Sequence, residues 1–489
     1  MLKNLPYLGL YFLFPLFFAC DSPAPVQNAQ PNILWIIAED LSQDLGCYGN
    51  DLVNTPILDS LAGQGIKFTN VFTTSPVCAP SRTALATGIY QTSLGAYHMR
   101  YPDSLKPALP ANIQTIPQLL QENNYVTANI KDGPGKGKLD WLFHFEENEH
   151  FDYQHWSELK NQSQPFFAQV SVSHTHRAFP EYDPEAFPLE QIKIPPYYPD
   201  HKTTRKDFAG YYQSIEALDQ DVKMILDSLR HHELAENTII FFFSDHGRPM
   251  TRAKMFLYDS GLEVPCIISF PKGSELFADY QKGTEDTRLL SAIDLSATTL
   301  ALAGIPPPDY VQGKNLLPLE AETRSSIFAS TNRIGESNLK SRAVRTKDFK
   351  YIRNYNRELS VIEAATAYRQ AMHPIHQLMV IQEQKNALTE AQKQLFMEPP
   401  AEELYNLEQD PYEINNLATE PDYQSQLQKM RNLLDEKLAT INDKGLNEDP
   451  QEIVDAFDAY GVQSAERYLE RENVLYKSVL EDVEENENL

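Results

Sequence analysis

Five runs of apolar, largely branched residues recur along the chain: Asn32–Ala38 (NILWIIA), Tyr125–Ile130, Phe166–Ser173, Thr238–Ser244 and Pro265–Phe270. None alternates polar with apolar as a strand with one wet face would, so each predicts a strand buried on both sides of a mainly parallel sheet. Between them stand helical patterns at Ile57–Leu61, Ile116–Glu122, Ala209–His231 and Ala292–Ala303. Strands alternating with helices predict an α/β domain whose helices flank the sheet. A chain of 489 residues exceeds what one core holds, which predicts a second, smaller lobe. The pattern changes after about Gly335: Ser341–Tyr355 alternates with period two, as a half-exposed antiparallel strand should, and helical stretches follow from Ser360 to Phe396 and beyond Leu417. The expected organisation is a large α/β domain over residues 31–339 and a C-terminal α+β subdomain over residues 340–489.

In open sheets of this kind ligands sit beyond the carboxyl ends of the strands. Three of the five runs end there in polar residues: Glu39-Asp40 after the first, His174 and His176 after the third, Asp245-His246 after the fourth. Any one pair would pass as a turn or helix cap. Their coincidence marks that edge as the candidate site. Clustered carboxylates are costly to bury unless a cation compensates them, and oxygen-rich clusters select hard divalent ions such as Ca²⁺. An imidazole such as His246 is a poorer ligand for that ion.

The 42 basic and 68 acidic residues give a net charge of −26, which argues against nucleic-acid binding and against adhesion to anionic lipid. An anionic substrate would need a local basic patch. The acidic excess near the C-terminus, Glu481, Asp482, Glu484, Glu485 and Glu487, predicts a solvated tail. Residues 1–20 carry one lysine, an apolar run and a terminal Ala19-Cys20, followed by a polar, Pro-containing linker over residues 21–30. That is the pattern of an export signal, and it resembles the bacterial lipoprotein type, in which Cys20 would be lipidated. A periplasmic or cell-surface location, anchored through that lipid, is the expectation. Four cysteines, at 20, 47, 78 and 266, are too few for a disulfide scaffold; Cys47 and Cys266 are either one pair or two free thiols.

The most specific segment is Cys78-Ala79-Pro80-Ser81-Arg82-Thr83-Ala84-Leu85-Ala86-Thr87-Gly88. It resembles the signature C-x-P-S-R-x-x-L-x-T-G of the sulfatases at every fixed position. The resemblance implies a sulfuric ester hydrolase in which a dedicated formylglycine-generating enzyme oxidises Cys78 to formylglycine. The hydrated aldehyde would attack sulfur with one hydroxyl and expel sulfate through the other, a form of covalent catalysis. Arg82 would hold the diol, and the positive end of a helix starting here would lie beneath the anion. The resemblance extends to Glu39, Asp40, Asp245 and His246, which with Cys78 would surround the divalent cation. It implies His176 as the group protonating the leaving oxygen, with His174 as competitor, and Lys254 as a sulfate contact. A further lysine follows the second strand, where Lys138 and Lys131 are the candidates and Asp140 stands where a histidine is often found.

Further segments of the same family character cover Ile293–Gly313, Arg342–Tyr355 and Glu402–Leu407. Gly95–Arg100 resembles a stretch of glycan sulfatases, including relatives of heparan N-sulfatase, which suggests His98 and Arg100, together with Arg252, as contacts of a sulfated glycan. Two other readings predict different behaviour. A phosphodiesterase or phosphonate hydrolase of the wider alkaline-phosphatase superfamily would prefer phosphate diesters to aryl sulfates. A non-catalytic glycan-binding lipoprotein would turn over nothing even after formylglycine formation.

Overall fold

The apolar runs are neighbouring strands of one sheet. In the computed structural model, which describes residues 30–317 and 323–487, they are β1 (Asn32–Ala38), β3 (Val126–Asn129), β4 (Phe166–Val172), β5 (Thr238–Ser244) and β6 (Glu263–Ser269). Three strands join them that the sequence reading left out: β2 (Gly65–Phe72), β7 (Thr284–Asp286) and β8 (Leu290–Ser291). The order is β3-β4-β1-β5-β6-β2-β7, with β8 also on β2. The export signal with Cys20, and residues 21–29 of the linker, lie outside the described residues.

Period two on β1 explains why the sheet is buried on both faces: Leu34, Ile36 and Ala38 pack into one core, Ile33, Trp35 and Ile37 into another. The strands β3, β4, β1 and β5 run parallel, but β6 is antiparallel to both β5 and β2. Composition alone does not separate β6 from its parallel neighbours. One residue does mark it: Pro265 has no N–H for a ladder, and the β2–β6 register shifts between Phe68 and Val71, opposite that proline.

A second, antiparallel sheet has the order β12-β11-β10-β9, with β9 Ile327–Thr331, β10 Ser341–Arg345, β11 Phe349–Asn354 and β12 Glu402–Asn406. The single half-exposed strand expected over 341–355 is therefore a hairpin turning at 346–348, and every residue of β10 is buried. Its edge strand β9 precedes residue 340. This sheet belongs to one compact unit with the larger one, Pro31–Leu489. The acidic C-terminus is no loose tail. It lies on the helix Gln451–Glu487, where Asp482 receives Lys206 at 3.0 and 3.1 Å. Among the described residues the cysteines are free, and burial pushes the Cys47 thiol up to about 12.

Candidate active site

Register brings the three polar strand ends together. Ala38 of β1 stands beside Val172 of β4 and Ser244 of β5, so Glu39, the 173–176 turn and Asp245 leave the sheet at one edge. Backbone bonds prolong the ladder into the site, from Glu39 N to Val172 O at 3.1 Å, Asp245 N to Ala38 O at 3.1 Å and Leu41 N to His246 O at 3.1 Å. Asp40 sits at φ +54°, a left-handed turn that an aspartate tolerates better than a branched residue would.

Asp40, Asp245 and His246 are fully buried, and one ligand atom from each lies within 4.8 Å of the others. The donor set fits a divalent cation: the two carboxylates supply charge, and His246 Nε2 makes no hydrogen bond although Asp40 Oδ1 lies 2.8 Å away. Burial pushes His246 down, but the carboxylates of Asp40 and Asp245 outweigh it and hold the imidazole up at about 9. Burial likewise pushes Asp40 up, and Lys254, His246 and His176 overcome it, holding the carboxyl well below its usual range. Lys254 Nζ donates to both Asp40 oxygens, at 2.9 and 2.7 Å.

Glu39, expected among the ligands, is not one of the three that converge. Its carboxylate is taken by Lys138 Nζ at 3.2 Å and Arg82 Nη2 at 3.8 Å. Its longer side chain and the two cations explain the difference.

Cys78 begins the helix Cys78–Thr87, all of whose residues are buried. Val77, the preceding residue, is extended and offers no side-chain cap, so the first N–H groups of the helix open at the position of Cys78. Arg82, one turn on, donates through Nε to Asp245 Oδ2 at 2.8 Å and through Nη1 to Ser171 Oγ at 2.9 Å. Ser81 Oγ donates to the Asp245 carbonyl at 2.5 Å. The motif helix and the ligand turn are thus bolted together.

Cys78, Glu39, Asp40, Arg100, Lys138, His176 and Lys254 line one cavity of about 450 Å³. Burial lowers both Lys138 and Lys254, yet each is raised overall, the sulfur of Cys78 contributing in both cases. His176 Nδ1 lies 2.8 Å from the Arg177 carbonyl, which fixes that nitrogen as the donor and leaves Nε2 for the cavity. Arg100 is fixed by Asp140 through two bonds of 2.6 Å.

Four expected contacts lie elsewhere. His98 is buried against Asp449 at 2.7 Å and Phe457, where it packs rather than binds. Arg252 is sandwiched by Tyr258 and Tyr197, its guanidinium 3.6 and 4.4 Å from the ring centroids. Lys131 pairs with Glu147 at 2.9 Å and His174 with Asp221 at 2.5 Å, both outside the cavity lining. The opposite wall comes from residues with no motif of their own: Glu336, Tyr368, Arg369 and His373, with Tyr460 and Tyr468 from the C-terminal helix. Arg369, a lone charge in the small apolar run Ala364–Met372, is the one with a visible sequence signal.

Comparison with known proteins agrees with this geometry. The Sulfatase family model matches residues 31–305, and a model described as N-sulphoglucosamine sulphohydrolase, C-terminal, matches residues 251–396. An ulvan-active sulfatase of Formosa agariphila is 34% identical over 465 residues, covering 85% of this chain and 76% of that one. The N-sulphoglucosamine sulphohydrolase of Homo sapiens is 26% identical over 459 residues, covering 83% and 90%. A structure solved with its substrate D-glucosamine-2-N,6-O-disulfate superposes with a TM-score of 0.59 at 18% identity, covering 86% of this chain and 100% of that one.

Proposed function

Because the chain belongs to the sulfatase family and is a sulfuric ester hydrolase, we propose that it removes sulfate from a sulfated carbohydrate, with Cys78 converted to formylglycine as its nucleophile. Formylglycine, once hydrated, supplies one hydroxyl to attack sulfur and a second whose deprotonation releases sulfate. Asp40, Asp245 and His246 would hold a divalent cation, Ca²⁺ by the carboxylates' preference, which neutralises sulfate charge. Lys138 and Lys254 reach the same cavity and offer N–H donors to the sulfate oxygens. His176, whose Nε2 is left to the cavity when Nδ1 donates to Arg177, is placed to protonate the leaving oxygen. Arg82 touches Asp245 and Ser171 and acts by positioning them.

The observation that carries this reading is the convergence, in one cavity, of Cys78 at a helix N-terminus, the acidic turn after β1 and two lysines. The carbohydrate is supported by the relatives named above, whose substrates are sulfated sugars in name. The export pattern over residues 1–20 would place the activity outside the cytoplasm, reached by polymeric substrate. A formylglycine-generating enzyme is the partner the chemistry requires.

Two measurements test it together. The protein co-expressed with a formylglycine-generating enzyme should release sulfate from members of a panel of defined sulfated oligosaccharides. Mass spectrometry of the tryptic peptide spanning residues 68–82 should show a mass below that of the thiol form. Hydrolysis by a Cys78→Ala variant would overturn the nucleophile, and failure across the panel by fully modified protein would overturn the substrate class.

A further inference from the structure

Among the lysines and arginines lining the catalytic cavity, one has no carboxylate partner among the described residues. Arg100 is held by Asp140, Lys138 by Glu39, Lys254 by Asp40, and Arg177 by a bidentate pair with Asp207 at 2.7 and 2.6 Å. Arg369 lines the same cavity and is 95% buried, being 5% exposed, yet no carboxylate of the described residues forms an ion pair with it. Its Nη2 makes no hydrogen bond. Burial lowers its guanidinium to about 10, with only partial relief from the charge on Asp40. A desolvated cation without a counter-charge is costly, and folded proteins rarely keep one except where a ligand supplies the charge.

The backbone holds the arginine in place. Arg369 N donates to Thr366 O at 2.8 Å, and His373 N donates back to Arg369 O at 2.9 Å. In the same cavity lining Glu336 Oε1 accepts the Ala367 N–H at 2.5 Å, leaving Oε2 buried and unbonded. The cavity lining therefore presents both a planar fork of donors and a free acceptor. Tyr368 and Tyr468, in edge contact with ring centroids 5.5 Å apart, flank them as an apolar surface for a ring. Lys138, Lys254 and His176 already supply the donors around Cys78, so the scissile sulfate does not require Arg369.

We propose that Arg369 is a specificity-determining residue that binds a second anionic group of the substrate, a uronate carboxylate or a neighbouring sulfate, while Glu336 Oε2 accepts a hydroxyl of the same sugar. The assignment rests on the proposed carbohydrate sulfatase activity and narrows it to sugars carrying two anions within one cavity's reach. Arg suits this task because its fork matches both carboxylate and sulfate oxygens in a bidentate pair.

The test uses the full chain, formylglycine-modified and supplied with Ca²⁺, on three probes: a sulfated hexose linked to a hexuronate, the same disaccharide with its carboxyl reduced to an alcohol, and a disulfated hexose. Wild type should prefer one dianionic probe to the carboxyl-reduced one, which identifies the source of the second anion. Arg369→Gln should cut kcat/KM for that probe by about 30-fold, mainly through KM, and erase most of the preference over the reduced probe. Arg369→Lys should restore part of it, and circular dichroism melting reports whether either variant is folded. Equal losses on all three probes would overturn the assignment, since they would place Arg369 on the scissile sulfate or in the fold. So would a wild type that hydrolyses the reduced probe as well as the others. Hydrolysis of none of the probes by the modified wild type would overturn the activity itself and this inference with it.

Discussion

Arg82 donates to Asp245 through Nε and to Ser171 and the Lys138 carbonyl through Nη1, so a single buried guanidinium ties together the ends of β5 and β4 and the loop that follows β3. Lysine has no fork with which to make those bonds at once. At the proposed cation site, Arg82→Lys should therefore weaken divalent-cation binding by roughly 10- to 100-fold through misplaced Asp245, the usual effect of losing a partner behind a metal ligand. Calorimetric titration of the modified protein checks it, and an unchanged affinity would show that Asp245 is held by Ser81 and its own backbone. Cys78→Ala should behave differently, losing turnover while melting within a degree or two of wild type, because a small side chain on an already started helix disturbs no bond that holds the fold. Cys78 and Arg82 stood out in the sequence as one contiguous motif, and Asp40 and Asp245 as polar residues ending two buried runs; the fold brings all four to one edge of the sheet. His98 and Arg252 misled for the opposite reason: both lie within twenty-odd residues of motif positions, but the backbone carries them onto Asp449 and between two tyrosines. Proximity in sequence does not say which way a side chain leaves a turn.

At the level of elements, the buried strands were readable because a run wet on neither face has few places to go, whereas β10 and β11 were readable as antiparallel strand but not as a hairpin or as buried. Ser341–Arg345 carries Ser and two Arg in five residues, as a partly exposed strand would, but Arg342 is buried against Asp443 and Arg345 reaches Asp259 at 3.1 Å. Buried ion pairs make a covered strand look wet. The helix Gln451–Glu487 was unreadable as a wall of the site, since its cavity residues Tyr460, Ser464 and Tyr468 carry no motif. Its far end is docked by Val479 and Val483 against Leu378 and Ile381. Val479→Asp would bury an unpaired carboxylate there, at a cost of a few kcal/mol, on the order of what such substitutions take from a packed contact. The end of the helix should detach while the sheets stay folded, visible as faster amide exchange over residues 475–485, and KM should rise as the tyrosine wall loosens. Loss of exchange protection across β1, β4 and β5 would instead show that the helix is part of the global folding unit.

Taken whole, the molecule sets a chain of net charge −26 around a cavity edged by Lys138, Lys254, Arg100 and Arg369, so attraction of an anionic sugar is local and acts over about a Debye length, ~8–10 Å. Salt should accordingly raise KM for a dianionic substrate more than for a monoanionic one. The same acidic chain has a separate weakness at low pH, away from the site. His150 is buried with Nδ1 2.8 Å from Thr115 Oγ1, and His376 is buried in the helix Pro374–Gln384 with Nδ1 unbonded. Burial lowers each imidazole from 6.5 to about 4. A histidine depressed in the folded state contributes stability that is complete above pH 6.5 and is lost as pH falls through about 4, because the unfolded chain takes the proton first. Integrated over that interval, each site is worth about 3 kcal/mol. Thermal melting followed from pH 7 to 4 should show a decline that begins near pH 6.5, above the range in which exposed carboxylates titrate. A His150→Gln, His376→Gln variant, lower in stability at pH 7, should flatten that decline while leaving the fall below pH 4 unchanged. An identical slope in the variant would move the acid sensitivity to other groups, among them His98, His201 and His373, whose imidazoles burial also lowers.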